Sequence, residues 1–181
     1  MIHDDLQCVL LTEQDIKERV EELAAMIDGD FEGSERPVLM IGVLKGSFIF
    51  IADLMRALKT DCSVDFMAVS SYGAKSETSG QVRILKDIGE NIEGRDVIVI
   101  EDILDSGITL SYILELLKTR KPNSIKLCAL LDKPDRRKTQ VEVQYKGFII
   151  PDEFVVGYGL DFAEKYRGLP YIGVLKPSVY K

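Results

Sequence analysis

The chain has 181 residues, 46% hydrophobic and 29% charged, a composition that allows a globular core and excludes a disordered or fibrous chain. Its net charge of −7 weighs against the clustered basic surface that a nucleic-acid backbone requires, and no apolar run is long enough to cross a bilayer. The start Met1-Ile2-His3-Asp4-Asp5 lacks the basic and then apolar pattern of a signal peptide. The 3 cysteines, Cys8, Cys62 and Cys128, are scattered without a C-x-x-C spacing, which predicts a reducing, cytoplasmic setting with neither a disulfide framework nor a zinc site.

Thr12 to Asp28 reads as a helix, with Ile16, Val20, Leu23 and Ile27 at helical spacing and Thr12 paired with Asp15 as a capping signal. Gly29-Asp30 and Gly33-Ser34 end it. Val38 to Val43 is a continuous apolar run, as expected of a strand buried on both faces. Ser47 to Leu58 follows as a helix, with Phe48, Ile51, Met55 and Leu58 as its apolar stripe. Val64 to Ser71 reads as a strand that enters a polar segment from Tyr72 to Gly80, expected to be mobile because it has little to pack. A short strand is expected around Val82–Leu85. Val97 to Ile100 is another apolar strand, followed by a short loop and a helix from about Leu110 to Arg120. Pro122-Asn123 breaks that helix before a strand at Ile125–Leu131. Short strands and turns fill Val141 to Tyr171, and Tyr171–Leu175 is a last apolar strand. Strands alternating with helices predict an α/β fold, a mostly parallel central sheet flanked by helices. One domain over 1–181 is expected, with a core at about 36–132 and a small cap from the N- and C-terminal segments, about 1–35 and 133–181.

The stretch that carries chemistry is Val97-Ile98-Val99-Ile100-Glu101-Asp102-Ile103-Leu104-Asp105-Ser106-Gly107-Ile108-Thr109-Leu110. An apolar strand delivers two adjacent carboxylates, then a loop with two hydroxyls and a glycine leads into a helix. Ligands of open α/β sheets sit at the carboxyl ends of strands, and a helix start offers N–H groups and a positive dipole end to phosphate. Glu101 and Asp102 are acceptors that suit ribose hydroxyls or the water shell of Mg²⁺. Asp105-Ser106-Gly107 alone is equally a turn into a helix N-cap. The paired acids weigh towards a ligand, because adjacent carboxylates beside an apolar strand repel and gain nothing from packing. The only histidine, His3, reads as a surface residue.

This stretch resembles the phosphoribosyl pyrophosphate signature of type I phosphoribosyltransferases: apolar strand, two acids, two apolar residues, then Asp-(Ser or Thr)-Gly-x-Thr. Leu44-Lys45-Gly46-Ser47, Ser70-Ser71-Tyr72-Gly73, Leu130-Leu131-Asp132-Lys133 and the run Pro151 to Asp161 resemble, in order, segments of its hypoxanthine–guanine branch. The resemblance implies the fold of that family and transfer of phosphoribosyl from phosphoribosyl pyrophosphate to N9 of a 6-oxopurine with Mg²⁺. It implies that Asp105, Ser106, Gly107, Ile108 and Thr109 wrap the 5-phosphate, and that Asp105 accepts the purine N7 proton. Glu101 and Asp102 would face the ribose and the metal, with Asp161 a further metal ligand beside the base.

Lys45 and Gly46, in a loop where a non-proline cis peptide is a family feature, and Arg167 would hold pyrophosphate. Lys133, Phe154 and Val155 would meet the base through O6, by stacking and through the backbone, while Ser71 and Tyr72 would begin a closing loop. Taken alone, Phe154 and Val155 also read as core strand, and Lys133 with Arg136, Arg137 and Lys138 as a solvated face. A homodimer or homotetramer is implied, with no nucleic-acid or membrane partner. The competing readings are transfer to xanthine, adenine or orotate, a nucleotide-sensing regulator that binds RNA or DNA, and a generic Rossmann-type binder. The last lacks both G-x-G-x-x-G and G-x-x-x-x-G-K-[ST].

Overall fold

The computed structural model of the chain describes residues 3–71 and 82–180. In chain order the elements are β1 (Leu6–Leu11), α1 (Glu13–Asp30), β2 (Val38–Leu44), α2 (Phe48–Ala57), β3 (Cys62–Ser71), β4 (Val82–Lys86) and β5 (Asp96–Leu104). They continue with α3 (Ile108–Lys118), β6 (Ser124–Asp132), a 3-10 turn at Pro134–Arg136, β7 (Tyr145–Ile149), β8 (Val155–Val156), β9 (Ile172–Leu175) and α4 (Pro177–Tyr180). Among the described residues no helix is long and apolar enough to cross a membrane.

The larger sheet has six strands in the order β4-β3-β2-β5-β6-β7, all parallel except the antiparallel edge β4. Strand side chains alternate between its faces. Met40, Ile98, Ile100, Cys128 and Leu130 meet α1 and α2 on one side. Leu39, Ile41, Val97, Val99, Leu127 and Ala129 meet α3 on the other. That two-sided cover explains why β2 and β5 are apolar without alternation. The chain runs from β2 outward through β3 and β4, then returns to place β5 on the other side of β2. The connections after β2 and β5 therefore leave in opposite directions and open a crevice at their carboxyl ends.

Helix α1 forms because its stripe matches the sheet: Ile16, Val20, Leu23 and Ile27 are all buried. Thr12 caps it reciprocally, its Oγ1 accepting from Asp15 N at 3.1 Å while Asp15 Oδ2 accepts from Thr12 N at 2.8 Å. Helix α2 departs from the expected stripe. It buries Phe50, Ile51 and Leu54, whereas Phe48 and Met55 stay exposed. A helix apolar nearly all round has no periodicity to say which face turns inward. Helix α3 begins at Ile108, earlier than the expected Leu110, so Thr109 lies in its first turn. A smaller antiparallel sheet, β1-β9-β8, joins the two chain ends. Two segments assigned to the cap from sequence lie elsewhere: α1 packs on the larger sheet, and β7 extends it beside β6. The apolar stripe of α1 and the backbone edge of β6 each find their cover there.

Truncation of Leu23 to Ala is expected to cost about 2–5 kcal/mol, because the site is closed on all sides. The exposed Glu22→Ala on the same helix should stay within about 0.5 kcal/mol. Urea midpoints at unchanged slope would measure both.

Candidate active site

The crevice is built first by β5. Its apolar residues Val97 to Ile100 are fully buried, and the strand continues without a break through Glu101 and Asp102. Both carboxylates are therefore 9% exposed. Asp102 N–H donates to Glu101 Oε1 at 3.3 Å, and Ile103 N–H donates to Asp102 Oδ1 at 2.8 Å. Burial pushes Glu101 well above the usual carboxylate range, and the Asp102 charge beside it adds to the shift. Burial raises Asp102 as well, against its backbone hydrogen bonds and the more distant Arg167 cation. A site that gathers two such groups is relieved by a hard cation with oxygen ligands, so the donor set fits Mg²⁺.

Two further segments close on this pair. The peptide Leu44–Lys45 after β2 is cis, as expected from the family resemblance. The next residue, Gly46, lies so close to the acids that a Cβ would fall 1.5 Å from Asp102 Oδ2. On its other side a Cβ on Gly159 would fall 2.0 Å from Gly46 O. Backbone at Gly46 is thus sandwiched between the acid pair and the Gly157–Leu160 turn, and only glycine allows that approach.

The loop Asp105-Ser106-Gly107 follows β5, with Gly107 at φ +82 as the N-cap of α3. Ser106 Oγ accepts from Ile108 N at 3.5 Å, and Ser106 O accepts from Lys138 N at 2.9 Å and Thr139 N at 3.0 Å. The first turn of α3 contains Ile108 and Thr109, and the start of a helix leaves N–H groups without partners within the helix.

Arg137 fastens this loop, a role the sequence did not disclose. Its guanidinium is 11% exposed. Nε donates to Asp105 O at 3.0 Å and Nη2 to Leu104 O at 3.4 Å, while Nη2 also pairs with Asp132 Oδ1. Asp132, 3% exposed, takes Lys146 Nζ on its other oxygen at 2.7 Å. Of the run Lys133, Arg136, Arg137 and Lys138, Lys133 and Arg137 therefore turn inward, whereas Arg136 and Lys138 stay exposed as a solvated face would have them. Lys133 is 6% exposed, donating to Glu153 O at 2.5 Å with Asp152 Oδ1 at 3.8 Å. Arg136 Nε lies 3.2 Å from Asp105 Oδ1, an ion pair without hydrogen-bond alignment, and its Nη1 lies 3.5 Å from Asp152.

On the far wall, Arg167 Nη1 donates to Gly159 O at 2.7 Å, and Nη2 pairs with Asp161 Oδ1 at 2.9 Å. Its Nε is buried without a hydrogen-bond partner. Lys45 Nζ meets Glu164 Oε1 at 2.9 Å. Asp161 is engaged by Arg167. Among the described residues no three carboxylate, histidine or cysteine side chains gather as a metal set, so Asp161 does not complete one with Glu101 and Asp102. Phe154 is 37% exposed, stacked on Tyr180 at 4.8 Å and 21° and edge-on to Phe162 at 5.5 Å. The next residue, Val155, is buried in β8 opposite Val174. Glu164 thus links Lys45 to Arg167 and its partner Asp161, Gly46 lies against Asp102, and Arg136 with Asp152 links Asp105 to Lys133. Ser71 ends β3 with its backbone paired to Val82, and Tyr72 with the segment to Gly80 lies outside the described residues. Tyr180 and Glu164 carried no sequence signal, since each acquires its neighbours only when distant segments meet.

Residues 9–163 match the phosphoribosyl transferase domain family, and the chain belongs to that family. It is 54% identical to the hypoxanthine-guanine phosphoribosyltransferase of Staphylococcus aureus over 99% of both chains. A crystal structure of a Staphylococcus aureus hypoxanthine phosphoribosyltransferase superimposes with a TM-score of 0.94 at 54% identity, covering 99% of this chain and 96% of that one. The hypoxanthine phosphoribosyl transferase of Trypanosoma cruzi gives a TM-score of 0.94 at 41% identity, covering 99% and 96%.

Replacing Arg137 with Met is expected to leave Asp132 buried with Lys146 as its remaining partner. The loss should lie near the lower end of the about 3–5 kcal/mol that breaking a buried pair costs. Denaturant unfolding of the variant would measure it.

Proposed function

We propose that this chain is a purine-salvage transferase that moves phosphoribosyl from phosphoribosyl pyrophosphate to N9 of hypoxanthine or guanine, releasing pyrophosphate. The observation that carries the reading is the juxtaposition, at the switch point of the sheet, of two buried acids and a helix-start loop. The close similarity to hypoxanthine-guanine phosphoribosyltransferases along the whole chain supports the choice of base.

In this reading the loop Asp105 to Thr109 takes the 5-phosphate on N–H groups and hydroxyls, favoured by the dipole of α3. Glu101 and Asp102 would hold the ribose hydroxyls and Mg²⁺, and Asp161, which stands apart from them, would be a ligand for metal beside the base. The metal, when bound, neutralises charge that builds on the departing pyrophosphate. Lys45, the Gly46 backbone and Arg167 orient that same group.

As the C1–oxygen bond breaks, the sugar gains oxocarbenium character and the purine N9 lone pair closes on C1. The proton on N7 passes to the Asp105 carboxylate, so the base now bonded to C1 is neutral in the product nucleotide, and pyrophosphate is the leaving group. Lys133, drawn to the cleft by Glu153 O and Asp152, donates to O6 of the purine. Phe154 keeps an exposed surface for the ring while Tyr180 supports it, and the Val155 backbone reads the purine edge. Ser71 and Tyr72 begin the segment that excludes water from the cationic sugar. Phe48 and Met55, exposed seven residues apart on α2, support assembly as a homodimer or homotetramer. The three cysteines, all free, support a reducing cytoplasmic setting.

Nucleotide formation with phosphoribosyl pyrophosphate and Mg²⁺ tests the reading. Hypoxanthine and guanine should turn over, adenine should not, and chelating the metal should stop the reaction. Asp105→Asn should lower kcat by about 10²–10⁴, the usual worth of a positioned proton acceptor. Binding of phosphoribosyl pyrophosphate without turnover of any base would sink it.

A further inference from the structure

The two cations that the proposed function assigns to pyrophosphate share an anion of the chain itself. Glu164 places Oε1 2.9 Å from Lys45 Nζ and Oε2 3.5 Å from Arg167 Nη2. Lys45 comes from the loop after β2, and Arg167 lies beyond the Gly157–Leu160 turn. The carboxylate thus bridges the two walls of the cleft at the place where a diphosphate would bridge them.

The backbone holds Glu164 there at a conformational cost. Phe162 N donates to Lys165 O at 3.2 Å and Lys165 N to Phe162 O at 3.0 Å, closing a tight turn with Ala163 and Glu164 at its centre. Their φ values are +50 and +63, both in the left-handed region that a two-residue type I′ turn demands. Asn and Gly suit those positions best, so a glutamate there is disfavoured by local structure alone. Glu164 N–H donates to Asp161 Oδ2 at 2.8 Å, which fixes the turn against the residue paired with Arg167.

We propose that Glu164 is a resident counter-anion of the pyrophosphate subsite, which the diphosphate group displaces from Lys45 and Arg167 as it binds. This rests on the reading that those two residues hold pyrophosphate. Binding there is then an exchange of anions. The diphosphate carries more charge and wins, but its affinity is reduced by the pairs it breaks, and the returning carboxylate assists departure of the product. Lys45 and Glu164 side chains are each 66% exposed, so solvent screens the pair and the reduction is modest.

The test is calorimetric titration of the full chain with Mg²⁺-pyrophosphate, together with KM for phosphoribosyl pyrophosphate and for hypoxanthine. Glu164→Gln removes the charge at constant shape, and Glu164→Gly removes the side chain while suiting the turn. Both are expected to bind pyrophosphate about two- to fivefold more tightly, as the loss of a screened pair allows. KM for phosphoribosyl pyrophosphate should fall in step and KM for hypoxanthine should hold, a split that a general structural effect would not give. Unchanged or weaker pyrophosphate binding in both variants overturns the proposal. Lys45→Met and Arg167→Met separate the two levels. If they weaken pyrophosphate binding while the Glu164 variants leave it unchanged, only the counter-anion role fails. If they too leave it unchanged, the subsite assignment fails and takes the proposal with it.

Discussion

Burying two like charges side by side at the end of β5 is costly, and much of the structure is arranged around that cost. Glu101 and Asp102 cannot spread apart, because they are successive residues of one strand whose apolar part is clamped between α1 and α2 on one face and α3 on the other. Gly46 packs against Asp102 and Gly159 against Gly46, so backbone covers one side of the pair, and each acid keeps 9% of its surface exposed. Among the described residues the pair meets backbone N–H donors and a more distant Arg167.

A second feature is that the loops around the acids are fastened to one another by charges. Arg137 ties the loop that begins at Asp105 to Asp132, Arg136 ties Asp105 to Asp152, and Glu164 ties Lys45 to Arg167. These pairs differ in kind. Arg137–Asp132 is buried and fixes geometry, whereas Lys45–Glu164 is exposed and can be exchanged for another anion. Positioning and exchange are thus divided between the rigid and the open side of the same cleft.

Much of the fold was legible because two signals were strong. Val38–Val43 and Val97–Ile100 are apolar throughout, which a strand covered on both faces requires, and Ile16, Val20, Leu23 and Ile27 mark one face of α1. Helix α2 shows the limit: with apolar residues nearly all round, the choice of Phe50 and Leu54 over Phe48 and Met55 was made by what α1 and the sheet offered it. The paired acids and the helix-start loop were legible because they are contiguous in sequence. Arg137, Glu164 and Tyr180 were not, because nothing local separates a clamp, a counter-anion or a stacking partner from surface residues.

The sequence by itself determined the alternation of strands and helices, the paired acids at a strand end and the helix-start loop beside them, because each depends on neighbours within a few residues. Tertiary structure alone decided which strands became neighbours, and hence that the connections after β2 and β5 open a crevice between them. It also decided that Gly159 and Glu164 reach Gly46 and Lys45 from far along the chain. Those contacts come from sheet order and close packing, which couple residues by distance in space and leave no local trace in the chain.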